Sequence, residues 1–216
     1  SPDFVAQGFD SLARKPGFVD LRGWYVFGPF YQTEVGDLDK TFPGEKEAVA
    51  GDLNPNYLFD GKDFRKQVSA GVDGYVDLNA AFVKTDPRTL GYAICEVESP
   101  EERDAVLRLG FDWFLKLFVN GEWVPCGLRG EKSVYPEDYR FGCPATPNRR
   151  LARIHLKKGT NVICLKMRSG HAGFGFWANL SEPGAESDAG ETSNSRARTL
   201  YDPELTLNQP YVYSYW

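Results

Sequence analysis

Apolar and polar positions alternate with a period of two in most patterned stretches of this chain, and no long stretch keeps a 3.6-residue period. Residues 24–27 predict the first firm strand, ended by Gly28-Pro29. Short strands follow at 64–68, after the Asp60-Gly61 turn, and at 75–78, after Asp73-Gly74. The second half is denser. Residues 91–98 read as a strand with Ala93, Cys95 and Val97 on one face, and 104–110 form the next strand after a turn at Pro100. Residues 115–119 and 122–124 flank Asn120-Gly121. This is the strongest short-range hairpin signal, because both turn residues tolerate the positive φ of a type I′ turn. Strands at 152–156 and 162–167 are joined by a turn over 157–161. A last strand at 174–180 returns from the glycine-flanked tip 170–173.

Eight or more short strands, turn chemistry at each break and no βαβ alternation predict an all-β fold, an antiparallel β-sandwich over residues 20–181. Residues 1–19 form a lead-in. Residues 31–56 mix acids, prolines and glycines and predict a long irregular excursion, and 125–148 predict a second loop region. Residues 182–199 are polar and read as a linker that cannot offset its own ordering entropy. Residues 200–216 turn aromatic again, with Tyr201, Tyr211, Tyr213, Tyr215 and Trp216. They suit either a terminal strand docked on the parent domain or an arm for a partner protein.

Composition narrows the picture. A chain of 216 residues with 42% hydrophobic and 25% charged residues is globular rather than wholly disordered. The formal charge of -5 argues against a nucleic-acid binder that works by neutralising phosphates. No apolar run approaches the roughly 18 residues of a membrane span. Two histidines, His155 and His171, exclude a multi-histidine metal centre. Four cysteines without any CxxC spacing leave three full pairings open. Cys126 and Cys143 flank an irregular stretch and can close a loop in an oxidising compartment. Cys95 and Cys164 lie within strands and read as small buried hydrophobes. The chain opens at Ser1 with no charged-then-apolar leader, which fits a removed signal peptide or a fragment.

The order of motifs over 24–181 resembles the galactose-binding-like jelly-roll modules appended to bacterial glycoside hydrolases and other polysaccharide-acting enzymes. The resemblance is carried by 24–30 with its Gly28-Pro29-Phe30 end, by 74–78, and by 107–121, which runs from a strand through Gly110-Phe111-Asp112 to Asn120-Gly121. It continues in 156–167, where Leu156-Lys157-Lys158-Gly159-Thr160-Asn161 leads into an apolar strand. It covers about three quarters of the chain and excludes the tail. The chain departs from the pattern at Phe111-Asp112-Trp113, where members commonly carry a Ser-Asp-Asp-Gly type turn. The resemblance implies a non-catalytic, often sugar-binding module that works outside the cytoplasm: extracellular, periplasmic or at the cell surface. It also implies one structural calcium ion, for which the acidic excursion offers Asp37, Asp39 and Glu45 as oxygen ligands.

An enzyme needs more than abundant acids. Glycosidase chemistry wants two carboxyls about 5–10 Å apart across a cleft. Glu96 and Glu98 on one strand face and Asp37 and Asp39 in a loop read as solvated surface acids. No GxSxG, HExxH, Walker or dinucleotide fingerprint occurs. A sugar site instead lays aromatic rings on C–H faces and aims planar polar groups at hydroxyls. Loops of the second half hold this mixture, and Asp112, Trp113, Arg129, Tyr135, Tyr139 and His171 are the candidate ligand-binding residues. Trp24 and Trp177 lie within strands and read as packing, while Trp123 covers the hairpin. Two functions follow. One is a carbohydrate-binding accessory module for a polysaccharide or oligosaccharide. The other is an interaction subunit that docks a protein through its sandwich and residues 200–216, with no sugar.

Overall fold

A computed structural model describes residues 5–6, 18–52, 58–59, 62–63, 66–71, 74–82, 88–128, 150–170 and 173–183. In chain order the strands are β1 (Val5–Ala6), β2 (Phe18–Asp20), β3 (Gly23–Phe30), β4 (Leu58–Phe59), β5 (Lys62–Asp63), β6 (Lys66–Ser69), β7 (Val76–Asp77), β8 (Leu90–Ser99), β9 (Arg103–Phe111), β10 (Phe114–Val119), β11 (Glu122–Val124), β12 (Gly127–Leu128), β13 (Arg150–Leu156), β14 (Gly159–Arg168) and β15 (Gly175–Ser181). All pair antiparallel. A seven-stranded sheet runs β11-β10-β14-β8-β3-β6 with β1 added on β8. A six-stranded sheet runs β12-β13-β9-β15-β2 with β7 added on β15. The fold is the all-β sandwich that the alternation predicts.

Period-two alternation builds the core between the sheets. Ala93, Cys95 and Val97 of β8 point inward as expected. So do Leu115 and Leu117 of β10 and Ile163, Leu165 and Met167 of β14. The second sheet answers with Leu107, Leu109 and Phe111, with Ala152, Ile154 and Leu156, and with Phe176, Ala178 and Leu180. Trp24 meets Phe176 edge-on at 4.8 Å, and its indole N–H donates to the Leu21 carbonyl at 2.9 Å. The β10–β11 hairpin turns at Asn120 (φ 51°) and Gly121 (φ 85°), as the sequence predicts. Asn120 also ties two turns together. Its Oδ1 accepts the Val162 N–H, and its Nδ2 donates to Asn161 Oδ1, both at 2.9 Å.

Three local expectations are corrected. The excursion after residue 31 is not irregular throughout: it holds a 3-10 helix, Val35–Asp39, and a short helix α1, Glu45–Ala50. Their Leu38 and Ala48 press on the outer face of the first sheet, against Phe27, Phe30, Tyr92, Ile94 and Cys164. This second apolar layer explains why β8 is buried on both faces over most of its length. Leu78 does not end a strand but opens helix α2, Leu78–Phe82, where Asp77 Oδ1 accepts the Ala80 N–H at 3.1 Å as an N-terminal cap. Strand β3 does not stop at Gly28-Pro29. It passes a cis Gly28–Pro29 bond and a register shift, and reaches Phe30. Within the lead-in, β1 pairs with β8, and β2 crosses the boundary at residue 20 to pair with β15. The linker beyond residue 183 and the aromatic segment 200–216 lie outside the described residues.

Cys95 and Cys164 are fully buried on opposite faces of the first sheet, which rules out a bridge between them. Burial pushes both thiols well above the ordinary cysteine range. Cys126 is buried, and Cys143 lies outside the described residues. No helix among the described residues is long and apolar enough to cross a membrane.

The excursion is held by a buried cation. Lys166 of β14 is 0% exposed and sits directly opposite Tyr92 on the outer face. Its ammonium donates to Glu45 Oε2 at 2.7 Å and to the Lys40 carbonyl, and lies 5.2 Å from the Phe42 ring centre. The Tyr92 hydroxyl donates to the same carboxylate oxygen. Burial away from water lowers the Lys166 pKa, and the Glu45 carboxylate opposes that shift. Two residues along the same strand face, Arg168 donates through Nε and Nη2 to the Thr33 carbonyl at 3.1 and 2.9 Å.

Two predictions follow from these contacts. Lys166→Met leaves Glu45 as a buried unpaired charge and costs about 3–5 kcal/mol in urea unfolding. Adding Glu45→Met removes the orphan charge and recovers most of that loss; a double variant no more stable than the single one contradicts this account of the clamp. The second concerns pH. His155 Nδ1 and Nε2 lie 2.9 and 3.0 Å from Asp104 and Glu102, and hydrogen bonds to these carboxylates raise its pKa. A raised folded-state pKa gives stability that is full below the unfolded value of about 6.5 and is lost as pH rises through the folded one. In low salt, melting temperature therefore falls by a small, salt-screened amount above about pH 6.5. The His155→Gln variant loses that component of the slope.

Candidate functional site

Strand β9 ends at Phe111 on the inner face, and the chain turns through Asp112 and Trp113 into β10. The Asp112 N–H donates to the Gly175 carbonyl at 3.0 Å, which fastens this corner to the start of β15. Asp112 is only 8% exposed, and its Oδ2 accepts the Tyr75 hydroxyl at 2.7 Å. Tyr75 in turn packs on Trp177, ring centres 4.5 Å apart. Alternation explains the grouping. Val76 and Phe176 point into the core, so Tyr75 and Trp177 point out, and Gly110 opposite Trp177 brings no side chain to the outer face.

Two glycines of the β14–β15 connection let this corner close. A Cβ on Gly170 would fall 2.0 Å from the Trp113 indole, and one on Gly173 would fall 2.9 Å from the Asp112 carboxyl. The backbone at Gly170 therefore lies close against Trp113, and that at Gly173 close against Asp112. Trp113 adopts φ 71°, a left-handed conformation that bulky residues rarely take. The half-buried indole is held across the Gly170 backbone by that turn, at the junction where Phe114 of β10 pairs with Arg168 of β14.

Of the six sequence-derived ligand residues, Asp112 and Trp113 are thus adjacent at one corner, in contact with the residues that bracket His171. His171 itself lies outside the described residues, as do Arg129, Tyr135 and Tyr139. Tyr75 and Trp177 join the corner and were not among the candidates. The signal that finds Tyr75 is its place between the Asp73-Gly74 turn and inward-facing Val76. Trp177 reads as packing and does pack, but on the outer face. Trp123 stays 41% exposed on the hairpin, with the Lys116 ammonium 5.6 Å from its ring centre.

The three calcium candidates do not fit that ion. Asp37 pairs with Lys40 and accepts the Glu34 N–H at 2.8 Å, and the lysine, foremost, holds its carboxyl below the usual range. Asp39 pairs with Lys116 at 2.9 Å. Glu45 is taken by Lys166 and Tyr92. Each carboxylate faces a different cation, and among the described residues no three histidine, cysteine, aspartate or glutamate side chains gather as a metal site.

The corner offers aromatic surface, one anchored carboxylate and two closely packed glycines, Gly170 and Gly173. Such an arrangement can hold a ring of mixed polarity, with C–H groups on indole and hydroxyls on carboxylate. No family model matches the chain, and no curated protein matches it. Among solved structures it is similar to a β-glucosidase from Kluyveromyces marxianus at 13% identity and a TM-score of 0.39, over 77% of this chain and 17% of that one. The same enzyme in complex with glucose gives 14% identity and a TM-score of 0.40 over the same shares. A GH31 α-xylosidase from Xanthomonas citri gives 12% identity and a TM-score of 0.18, over 86% of this chain and 20% of that one. The chain therefore spans about a fifth or less of these enzymes, and likenesses with TM-scores below 0.5 carry no weight for fold or function.

Proposed function

We propose that this chain is a non-catalytic carbohydrate-binding module, an accessory to a polysaccharide-acting enzyme outside the cytoplasm, and that its sugar sits at the Asp112–Trp113 corner. The observation that carries the reading is the backbone of Trp113. A bulky residue held at positive φ is costly, and such outliers persist where the surroundings over-determine them, often at ligand sites. Here the strained residue is an aromatic, beside a carboxylate already oriented by Tyr75 and backed by Trp177. Rings of this kind supply contact area at low entropic cost, because only two torsions need fixing. The Asp112 carboxylate is an acceptor-only group of the kind that meets sugar hydroxyls, and the Tyr75 hydroxyl fixes its orientation.

Isothermal titration against a panel of plant and microbial oligosaccharides tests this. At least one oligosaccharide binds the parent, and Trp113→Ala weakens it by about tenfold or more. Gly170→Ala, which displaces the indole without removing it, acts in the same direction. Trp123→Ala, at the exposed hairpin, leaves affinity unchanged. Equal affinity in the parent and both corner variants places the ligand elsewhere.

A further inference from the structure

The same end of the sandwich hides an uncompensated charge. Arg150 opens β13 and pairs in register with Leu109 of β9 and Leu128 of β12. Its alternate neighbours Ala152, Ile154 and Leu156 all face the core, so Arg150 shares the inner face. It is only 6% exposed, and its Nε and Nη1 are buried without a hydrogen-bond partner. No carboxylate among the described residues forms an ion pair with it. A buried guanidinium with empty donors is expensive to maintain. Such a group is tolerated where an anion arrives to meet it. Because β13 starts where β9 ends, Arg150 lies about three residues, or roughly 10 Å, below Asp112 along the neighbouring strand. Arg150 stands on the inner face and Trp177 on the outer one, so an oligosaccharide laid over this end of the sandwich is what spans that distance to both.

We propose that Arg150 makes this rim selective for acidic glycans by pairing its planar fork with the carboxylate of a uronic acid. The proposal rests on the reading of this end as a carbohydrate rim, and adds the class of sugar. Asp112 and Trp113 hold a neutral part of the chain, and Arg150 receives the acidic one.

Matched ligands test it: a xylo-oligosaccharide, and the same oligosaccharide carrying one glucuronate branch. The branched ligand binds the parent about tenfold or more tightly than the plain one, and Arg150→Met erases that preference while leaving the plain ligand's affinity unchanged. Arg150→Lys keeps part of it, as a point charge without the fork. Melting curves supply a readout independent of any oligosaccharide. Without ligand, Arg150→Met melts at a higher temperature than the parent, because it removes an unpaired buried cation. Sodium glucuronate raises the melting temperature of the parent relative to sodium chloride at equal ionic strength, and not that of the variant. A preference that survives in Arg150→Met overturns the proposal. So does a variant that melts lower than the parent, since a carboxylate of the chain would then already neutralise the guanidinium. If neither oligosaccharide binds, the carbohydrate reading falls. In that case a parent indifferent to glucuronate overturns the charge claim as well, and a parent stabilised by it through Arg150 upholds the anion site alone.

Discussion

The Lys166 ammonium, sealed against the outer face of the first sheet, is the contact on which the rest of the molecule is organised. A single-layer covering would leave that face wet, and β8 and β14 would then alternate buried and exposed residues. Instead Glu45, Tyr92 and the Lys40 carbonyl satisfy the cation, and Phe42 lies over it. The excursion is thereby pinned where Leu38 and Ala48 can complete a second apolar layer. A buried pair of this kind adds little net stability against a well-packed apolar alternative. Its effect is positional, because a displaced excursion strands a charge in apolar surroundings.

That clamp reaches the candidate site through two neighbouring strands. Arg168, at the end of β14, holds the Thr33 carbonyl and lies 5.6 Å from the Phe114 ring centre at the start of β10. One residue before Phe114 is Trp113, and two residues after Arg168 is Gly170. The indole-on-glycine contact continues the β10–β14 ladder past its last pair, on a sheet made firm from both sides. Sites held by regular elements keep their geometry better than sites on free loops. The Asp112 side of the corner is fixed separately, by Gly175 and Tyr75 from the second sheet. The corner therefore joins the two layers, and either sheet shifting relative to the other would open it.

Much of this was legible in the residues. Alternation located β8, β9, β10 and β15 to within one residue and β14 to within three, because each has one face in the core and so carries a period-two pattern. Asn120-Gly121 specified its hairpin outright, since the turn chemistry is local. The excursion was illegible because its order comes from tertiary contact: α1 is too short to hold itself in water, and only Ala48 and Glu45 docking on the sheet stabilises it. The same cause hid the partners of the acids in the excursion. Asp37, Asp39 and Glu45 look like spare acids until the fold brings Lys40, Lys116 and Lys166 to them. Asp112 and Trp113 stood out as a break in pattern. Tyr75 did not, because its role depends on a residue 37 positions away. Arg150 reads as one arginine among several until its strand register turns it inward.

The central claim is that recognition happens at the corner where β9 passes into β10. The indole N–H resonances of the five tryptophans, assigned by single Trp→Phe replacements, test it most directly. On saturation with a binding oligosaccharide, the Trp113 and Trp177 signals shift, while those of core Trp24 and hairpin Trp123 stay in place. A Trp123 signal that moves while Trp113 stays still would contradict the account.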